Sequence, residues 1–398
     1  MTLPTDVVQI ISILEAAGHE AFVVGGCVRD TIRGVIPKDW DIATSATPVQ
    51  AKALFKRVID TGIKHGTITV VLNHRPYEVT TYRIDGEYLD NRRPETVKFT
   101  SNIEDDLSRR DFTINAIAYN PQKGFIDPFG GHTDIHAKII RCVGDPMHRF
   151  GEDALRMLRA IRFAGVTGFS VCDKLLNATI KLRHNLADVS PERIRDELGK
   201  LIISPHPWAV ELLHSTGLLP YVLQQTSTKS ISGAAGWLMS CPPNEAMRMA
   251  LFLQCCEIDL AQYETVLRKM RFENKIIKEI SLYLHLLHTP NPQNRYEIKK
   301  ALRHVPQDLF ENLLTLKTIV DPSQGQIIQV ICQESADIIK KGECFTLRDL
   351  AINGGDLAKL GVTPGEQMGD ILENMLDAVM HNPSFNTREK LLSSVPIS

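Results

Sequence analysis

Strand signals in this chain stop at about residue 137, and helical periodicity runs from there to the end. Ala21-Phe22-Val23-Val24 reads as a buried strand, and Thr67 to Leu72 and Tyr77 to Arg83 read as two more, joined by a hairpin at Asn73-His74-Arg75-Pro76. The helical stretch is punctuated at Ser204-Pro205-His206-Pro207, Cys241-Pro242-Pro243-Asn244, Thr289-Pro290-Asn291-Pro292 and Asp321-Pro322-Ser323. This division predicts an α+β head, a mixed sheet with helices, over residues 1–137. An all-α neck (138–204), body (205–290) and tail (291–398) should follow. With 398 residues and 43 % hydrophobic content, the chain can build several cores.

The chemistry concentrates in the head. Trp40, Ile42 and Ala43 around Asp39 and Asp41 read as a short strand, on which residues i and i+2 share a face. Two carboxylates so placed suit magnesium, which takes oxygen ligands and is completed by phosphate and water. Just upstream, Gly25-Gly26 should form the turn between a strand and a helix running from Cys27 to Arg33 and closed by Gly34. Backbone N–H groups at such a turn can face a phosphate, and Arg29 stands one helical turn further on. Each feature alone also fits a plainer reading, a capping aspartate pair or an ordinary glycine turn. In the strand from Tyr77, Glu78, Thr80 and Tyr82 share one face, which makes Glu78 a candidate third ligand or general base, or simply an exposed strand glutamate.

Three further clusters follow. Arg109-Arg110-Asp111-Phe112-Thr113 places two arginines beside a capping aspartate ahead of an expected helix, able to clamp phosphate or to form a surface ion-pair cluster. Asp127-Pro128-Phe129-Gly130-Gly131 reads as a structural turn. Glu152 to Phe163 reads as one helix, with Asp153 and Arg156 as i, i+3 neighbours. An Asp–Arg pair can read the amine and ring acceptor of cytosine or adenine while leaving polar groups unpaired against uracil or guanine. A helix laced with exposed salt bridges would show the same pattern.

Taken in order, Gly25-Gly26-x-Val28-Arg29-Asp30, Asp39-x-Asp41, Arg109-Arg110-Asp111-Phe112-Thr113-x-Asn115-Ala116, Asp127-Pro128-Phe129-Gly130-Gly131 and Glu152-Asp153-x-x-Arg156-x-x-Arg159 resemble the class II CCA-adding tRNA nucleotidyltransferases of the polymerase beta superfamily. The resemblance implies template-free addition of C, C and A to the tRNA 3′ end from two CTP and one ATP, with release of pyrophosphate. It assigns Asp39 and Asp41 to Mg2+ in a two-metal site and Glu78 to the third acidic position. Gly26, Arg29 and Arg110 become nucleotide contacts. Asp153 and Arg156 become the side chains that replace a template base, with Arg159 and Arg162 extending that site. The helical half would grip the tRNA acceptor arm and elbow, and a homodimer is expected.

Arg83 to Pro94 resembles the flexible loop that full CCA enzymes need for the switch from C to A, whereas an A-adding relative or a bacterial poly(A) polymerase shares much of the head. An RNA-binding protein with a vestigial head is the alternative of a different class. Formal net charge is −2, so RNA binding would rest on local clusters such as Arg268-Lys269-Met270-Arg271 and Arg295, Lys299, Lys300 and Arg303. The absence of a signal pattern and of a membrane-length apolar run predicts a cytoplasmic protein. The eight cysteines form no C-x-x-C pair and read as reduced.

Overall fold

Burial spacing builds the head from its first helix. In α1 (Thr5–Ala16), Val7, Ile10, Ile11 and Leu14 form one apolar stripe at positions i, i+3, i+4 and i+7. The structure, a computed structural model, describes residues 1–86, 97–224, 231 and 233–395. After α1 come β1 (Ala21–Val24), α2 (Gly26–Ile32), β2 (Asp41–Thr44), α3 (Pro48–Leu54), β3 (Val58–Gly62), β4 (Thr67–Leu72) and β5 (Arg75–Thr81). A short ribbon, β6 (Arg83–Asp85) with β7 (Val97–Phe99), leads to α4 (Ile103–Ser108), β8 (Ala118–Asn120), β9 (Gly124–Ile126) and α5 (Gly131–Ala137). Seven strands form one sheet in the order β3-β4-β5-β2-β1-β8-β9. Only β2 and β5 run parallel within it. Phe22, Val24, Ala43, Tyr82, Leu107 and Ala118 share a buried core.

Helices dominate beyond the head, with α6 (Pro146–Glu152), α7 (Leu155–Thr167), α8 (Asp173–Leu182) and α9 (Pro191–Ile202), but the segment expected to be all-α also holds a short parallel pair, β10 (Ile139–Ile140) with β11 (Ser170–Val171). The chain divides into two compact units, Met1–Met239 with Pro243–Asn274, and Ser240–Pro242 with Lys275–Ser398. In the second, Ile298, Leu302, Phe310, Leu314, Ile328 and Ile338 form one core, while Leu357, Leu376 and Val379 belong to another. Arg295 binds Glu334, Asp337 and Glu343 together there, its contacts to the last two measuring 2.7 and 2.6 Å.

Several local readings shift. The hairpin turn is only Asn73 and His74, at φ 49° and 64°, because two residues in that region match the strands' twist and let Arg75 and Pro76 join β5. Tyr82 leaves the alternation of Glu78 and Thr80: its amide bonds to the Thr44 carbonyl at 2.8 Å and its ring is buried in the head core. The single helix expected from Glu152 to Phe163 is two, separated at Asp153 (φ −146°, ψ 104°). There the Asp153 carboxylate accepts from the Leu155 amide at 3.1 Å, the local competition by which a short acidic side chain breaks a helix. After Asp111 comes a 3₁₀ turn, Thr113–Asn115, in place of the expected helix. Most of the segment resembling the flexible loop, residues 87–94, lies outside the described residues. All eight cysteines are free thiols, and no helix among the described residues is long and apolar enough to cross a membrane.

Candidate active site

A turn only glycine can make opens the site. Gly25 takes φ 76° between β1 and α2, and a Cβ there would lie 2.8 Å from Arg110 Nη1. The close approach sets Arg110 against the glycine turn, while α4 supplies Asp106, fully buried, to receive Arg110 at 3.2 Å and Arg109 at 2.7 Å. Arg29 donates from Nε and Nη2 to the Asp30 carboxylate at 2.9 Å each, and from Nη1 to Asn115 Oδ1 at 2.7 Å. Its guanidinium is therefore held rigidly before any ligand arrives.

The carboxylates gather less tightly. Asp41 opens β2, and the parallel register sets it opposite Glu78 of β5. Its carboxylate reaches solvent, yet burial by surrounding protein raises its pKa, with Glu78 and Asp39 pushing the same way and Arg110 opposing them. Asp39 is exposed and lies before the strand begins, so shared strand geometry does not fix its direction. Among the described residues no three His, Cys, Asp or Glu side chains form a ready metal-holding group. Asp39, Asp41 and Glu78 nonetheless supply only hard oxygen donors, the set that magnesium accepts, and phosphate oxygens would complete it.

The helical end of the same unit closes the cleft. A cavity of about 860 Å³ is lined by Gly26, Arg29, Asp41 and Arg110 from the head and by Asp153, Arg156 and Arg159 from the α6–α7 segment. Asp39, Glu78 and Arg162 are not among its lining residues. The Asp153 and Arg156 side chains meet different partners. Asp153 Oδ2 accepts from Arg193 Nη2 of α9 at 2.7 Å, whereas Arg156 Nη1 pairs with Glu152 and donates to the Arg149 carbonyl at 3.0 Å. Arg159 grips Asp111 Oδ2 from Nε at 2.9 Å and Nη2 at 2.6 Å. Burial alone would raise the Asp111 carboxyl, but Arg159, Asn115 and Arg156 outweigh it and hold it at about 2. Arg162 pairs with the buried Glu197 and lies 3.8 Å over the Phe163 ring, whose face also meets Arg29 at 5.2 Å and Arg159 at 5.5 Å.

Lining residues that were not read from the sequence as site residues include Thr61, His65, Arg83, Asp111, Asn115, Phe163 and Arg193. Asp111 and Asn115, spaced i, i+4 in the arginine-rich motif and bonded to each other at 3.1 Å, carried a legible signal. Arg193 reads in the sequence only as part of a basic stretch from Arg193 to Lys200, since only the fold brings α9 beside Asp153.

Residues 21–141 match a family model described as the Poly A polymerase head domain, and residues 168–229 one described as a probable RNA- and SrmB-binding site of polymerase A. Residues 242–395 match a putative tRNA nucleotidyltransferase domain 2. The CCA-adding enzyme of Lactiplantibacillus plantarum is 38 % identical over 394 residues, covering 96 % of this chain and 93 % of its own. That of a Geobacillus species is 37 % identical over 385 residues, covering 96 % and 94 %. The chain belongs to the CCA-adding enzyme family. As a member it is a nucleotidyltransferase, built as a mixed-sheet head followed by helices. The crystal structure of the Bacillus stearothermophilus CCA-adding enzyme in complex with CTP agrees, with a TM-score of 0.85 at 31 % identity over 99 % of this chain and 97 % of that one.

Proposed function

We propose that this chain adds and repairs the 3′-terminal CCA of tRNA, using two CTP and one ATP and releasing pyrophosphate by a two-metal mechanism. The observation that carries the reading is the single cleft in which the Gly25–Gly26 turn, Asp41 and Arg110 face the same space as Asp153 and Arg156. A nucleotide has a triphosphate at one end and a base at the other, and this cleft offers chemistry for both. Mg2+ held by Asp39 and Asp41 would lower the pKa of the primer hydroxyl and neutralise the departing pyrophosphate. Glu78, opposite Asp41, is the third acidic group of this reading. The primer 3′-oxygen attacks the α-phosphorus, the α–β bridging bond breaks, and the hydroxyl proton leaves to a base or to solvent.

Gly26, Arg29 and Arg110 orient the triphosphate in this account. Asp153 accepts from the exocyclic amine of cytosine or adenine, and Arg156 donates to the ring acceptor, so that uracil and guanine would leave buried polar groups unpaired. Arg159 and Arg162 extend that site through their pairing with Asp111 and Glu197. The division into catalytic head, base-selecting neck, body and tRNA-gripping tail belongs to the same proposal, as do a homodimer and a cytoplasmic location. The head model alone also fits poly(A) polymerases, whereas the domain matched over 242–395 and the full-length relatives favour CCA addition. Asp41→Ala is the test: lost nucleotide incorporation with near-normal tRNA binding supports catalysis here. No activity in the parent protein would favour an RNA-binding module.

A further inference from the structure

The geometry points to Arg193 as the positioning residue that sets the base-reading carboxylate, an inference that rests on the reading of Asp153 above. Asp153 sits in extended backbone between α6 and α7, where no helix fixes its side chain. Two contacts hold it instead: Oδ1 accepts from the Leu155 amide at 3.1 Å, and Oδ2 accepts from Arg193 Nη2 at 2.7 Å. The first is local and tethers one oxygen. The second comes from 40 residues away on α9 and fixes the plane of the carboxylate. Arg156, the arginine three residues on, does not do this, because its guanidinium is committed to Glu152 and to the Arg149 carbonyl.

Arg193 is not itself locked by the surrounding fold. It lines the cleft, its side chain retains 26 % exposure, and its buried Nη1 has no hydrogen-bond partner among the described residues. A purely structural arginine would be expected to use both arms of its fork. Here one arm binds Asp153 and the other is left over beside the nucleotide space. Oδ2 keeps a second lone pair, so an exocyclic amine can be accepted while Arg193 stays bound, and the direction of that lone pair is set by Arg193. Removing Arg193 leaves a negative carboxylate held by one oxygen and free to turn, which weakens binding of bases that offer an amine. Selectivity against UTP should fall with it.

A double-mutant cycle on the full chain tests this, with CTP, ATP and UTP incorporation measured on tRNA ending at the discriminator base or at C-C. Arg193→Met, which keeps the apolar stem, should raise KM for CTP and ATP and lower their preference over UTP by about ten- to a hundredfold, the scale of one charged hydrogen bond. kcat should change much less. Arg193→Lys, which keeps the charge without the fork, should restore part of the preference. In an Asp153→Ala background, which has no acceptor left for the guanidinium, the Arg193→Met change should alter selectivity no further. Additive effects in the cycle, or unchanged selectivity in Arg193→Met with a normal melting curve, would overturn the role of Arg193. Unchanged selectivity in Asp153→Ala alone would instead remove the base-reading role of Asp153 on which it depends.

Discussion

Asp111 shows how much a single residue can hold in place. It accepts from its own neighbour's amide at 2.8 Å, from Asn115 at 3.1 Å and from the forked Arg159, and through Asn115 it reaches Arg29. An unfolded aspartate titrates near ~3.9 and this one at about 2. The folded value is the lower one, so its stabilisation, on the order of 2–3 kcal/mol, is complete above about pH 4 and disappears as pH falls through about 2. Thermal unfolding at pH 7 and pH 3 should therefore show the gap between parent and Asp111→Asn narrowing by roughly half at the lower pH. A gap that does not change would show that the carboxylate is unpaired in the folded protein. Asp153→Ala, by contrast, should act on specificity. UTP and GTP incorporation should rise relative to CTP and ATP by about tenfold or more, and unchanged ratios would exclude Asp153 from reading the base.

At the scale of elements, the glycine turn gives a paired prediction. Gly25 lies in a backbone region essentially reserved for glycine, and a Cβ would press on Arg110, so Gly25→Ala should cost about 1–3 kcal/mol in thermal stability and disturb nucleotide binding. Gly26 is the first residue of α2 and its nearest obstacle is 3.7 Å away, so Gly26→Ala should fold normally. A rise in KM there would report the triphosphate's close approach, and an unchanged KM would remove Gly26 as a contact. The turn was legible because Gly-Gly after an apolar run has few other uses. The break at Asp153 was not, since Leu155, Leu158 and Ile161 all lie beyond it and keep helical spacing, so the apolar pattern carries no mark of where α6 stops. That Asp127-Pro128-Phe129-Gly130-Gly131 is a structural turn was legible, and the structure adds that Asp127 accepts from the Gly131 and His132 amides at the start of α5 at 2.7 and 2.8 Å. Gly131 packs so closely on Thr113 that a Cβ would sit 2.1 Å from its carbonyl oxygen. Shortening the segment from Asp85 to Arg93 should spare C addition and abolish A addition, and normal A addition would refute its assignment to the switch.

Across the whole molecule, the change from a strand-rich first part to helices was plain in the sequence because period-two patterns fade near residue 137, whereas the two-residue parallel pair of Ile139–Ile140 with Ser170–Val171 is too short to leave a pattern. Which helices share a compact unit was hidden: proline-rich breaks mark helix ends, whereas the division near 240–243 and 274–275 is set by which apolar faces meet. With a net charge of −2, the tRNA affinity proposed for this chain would have to come from local basic clusters. Binding should accordingly weaken by roughly tenfold or more between about 50 and 200 mM salt, and a flat salt response would exclude a phosphate grip. The central claim is tested most directly by supplying the protein and Mg2+ with tRNA transcripts ending at the discriminator base, at C-C or at C-C-A, adding CTP, ATP or both, and sequencing the 3′ ends. This account predicts three residues, C-C-A, on the first transcript, a single A on the second and none on the third. A added only to the C-C transcript with nothing added at the discriminator base, a long A tail, or no addition at all would contradict it.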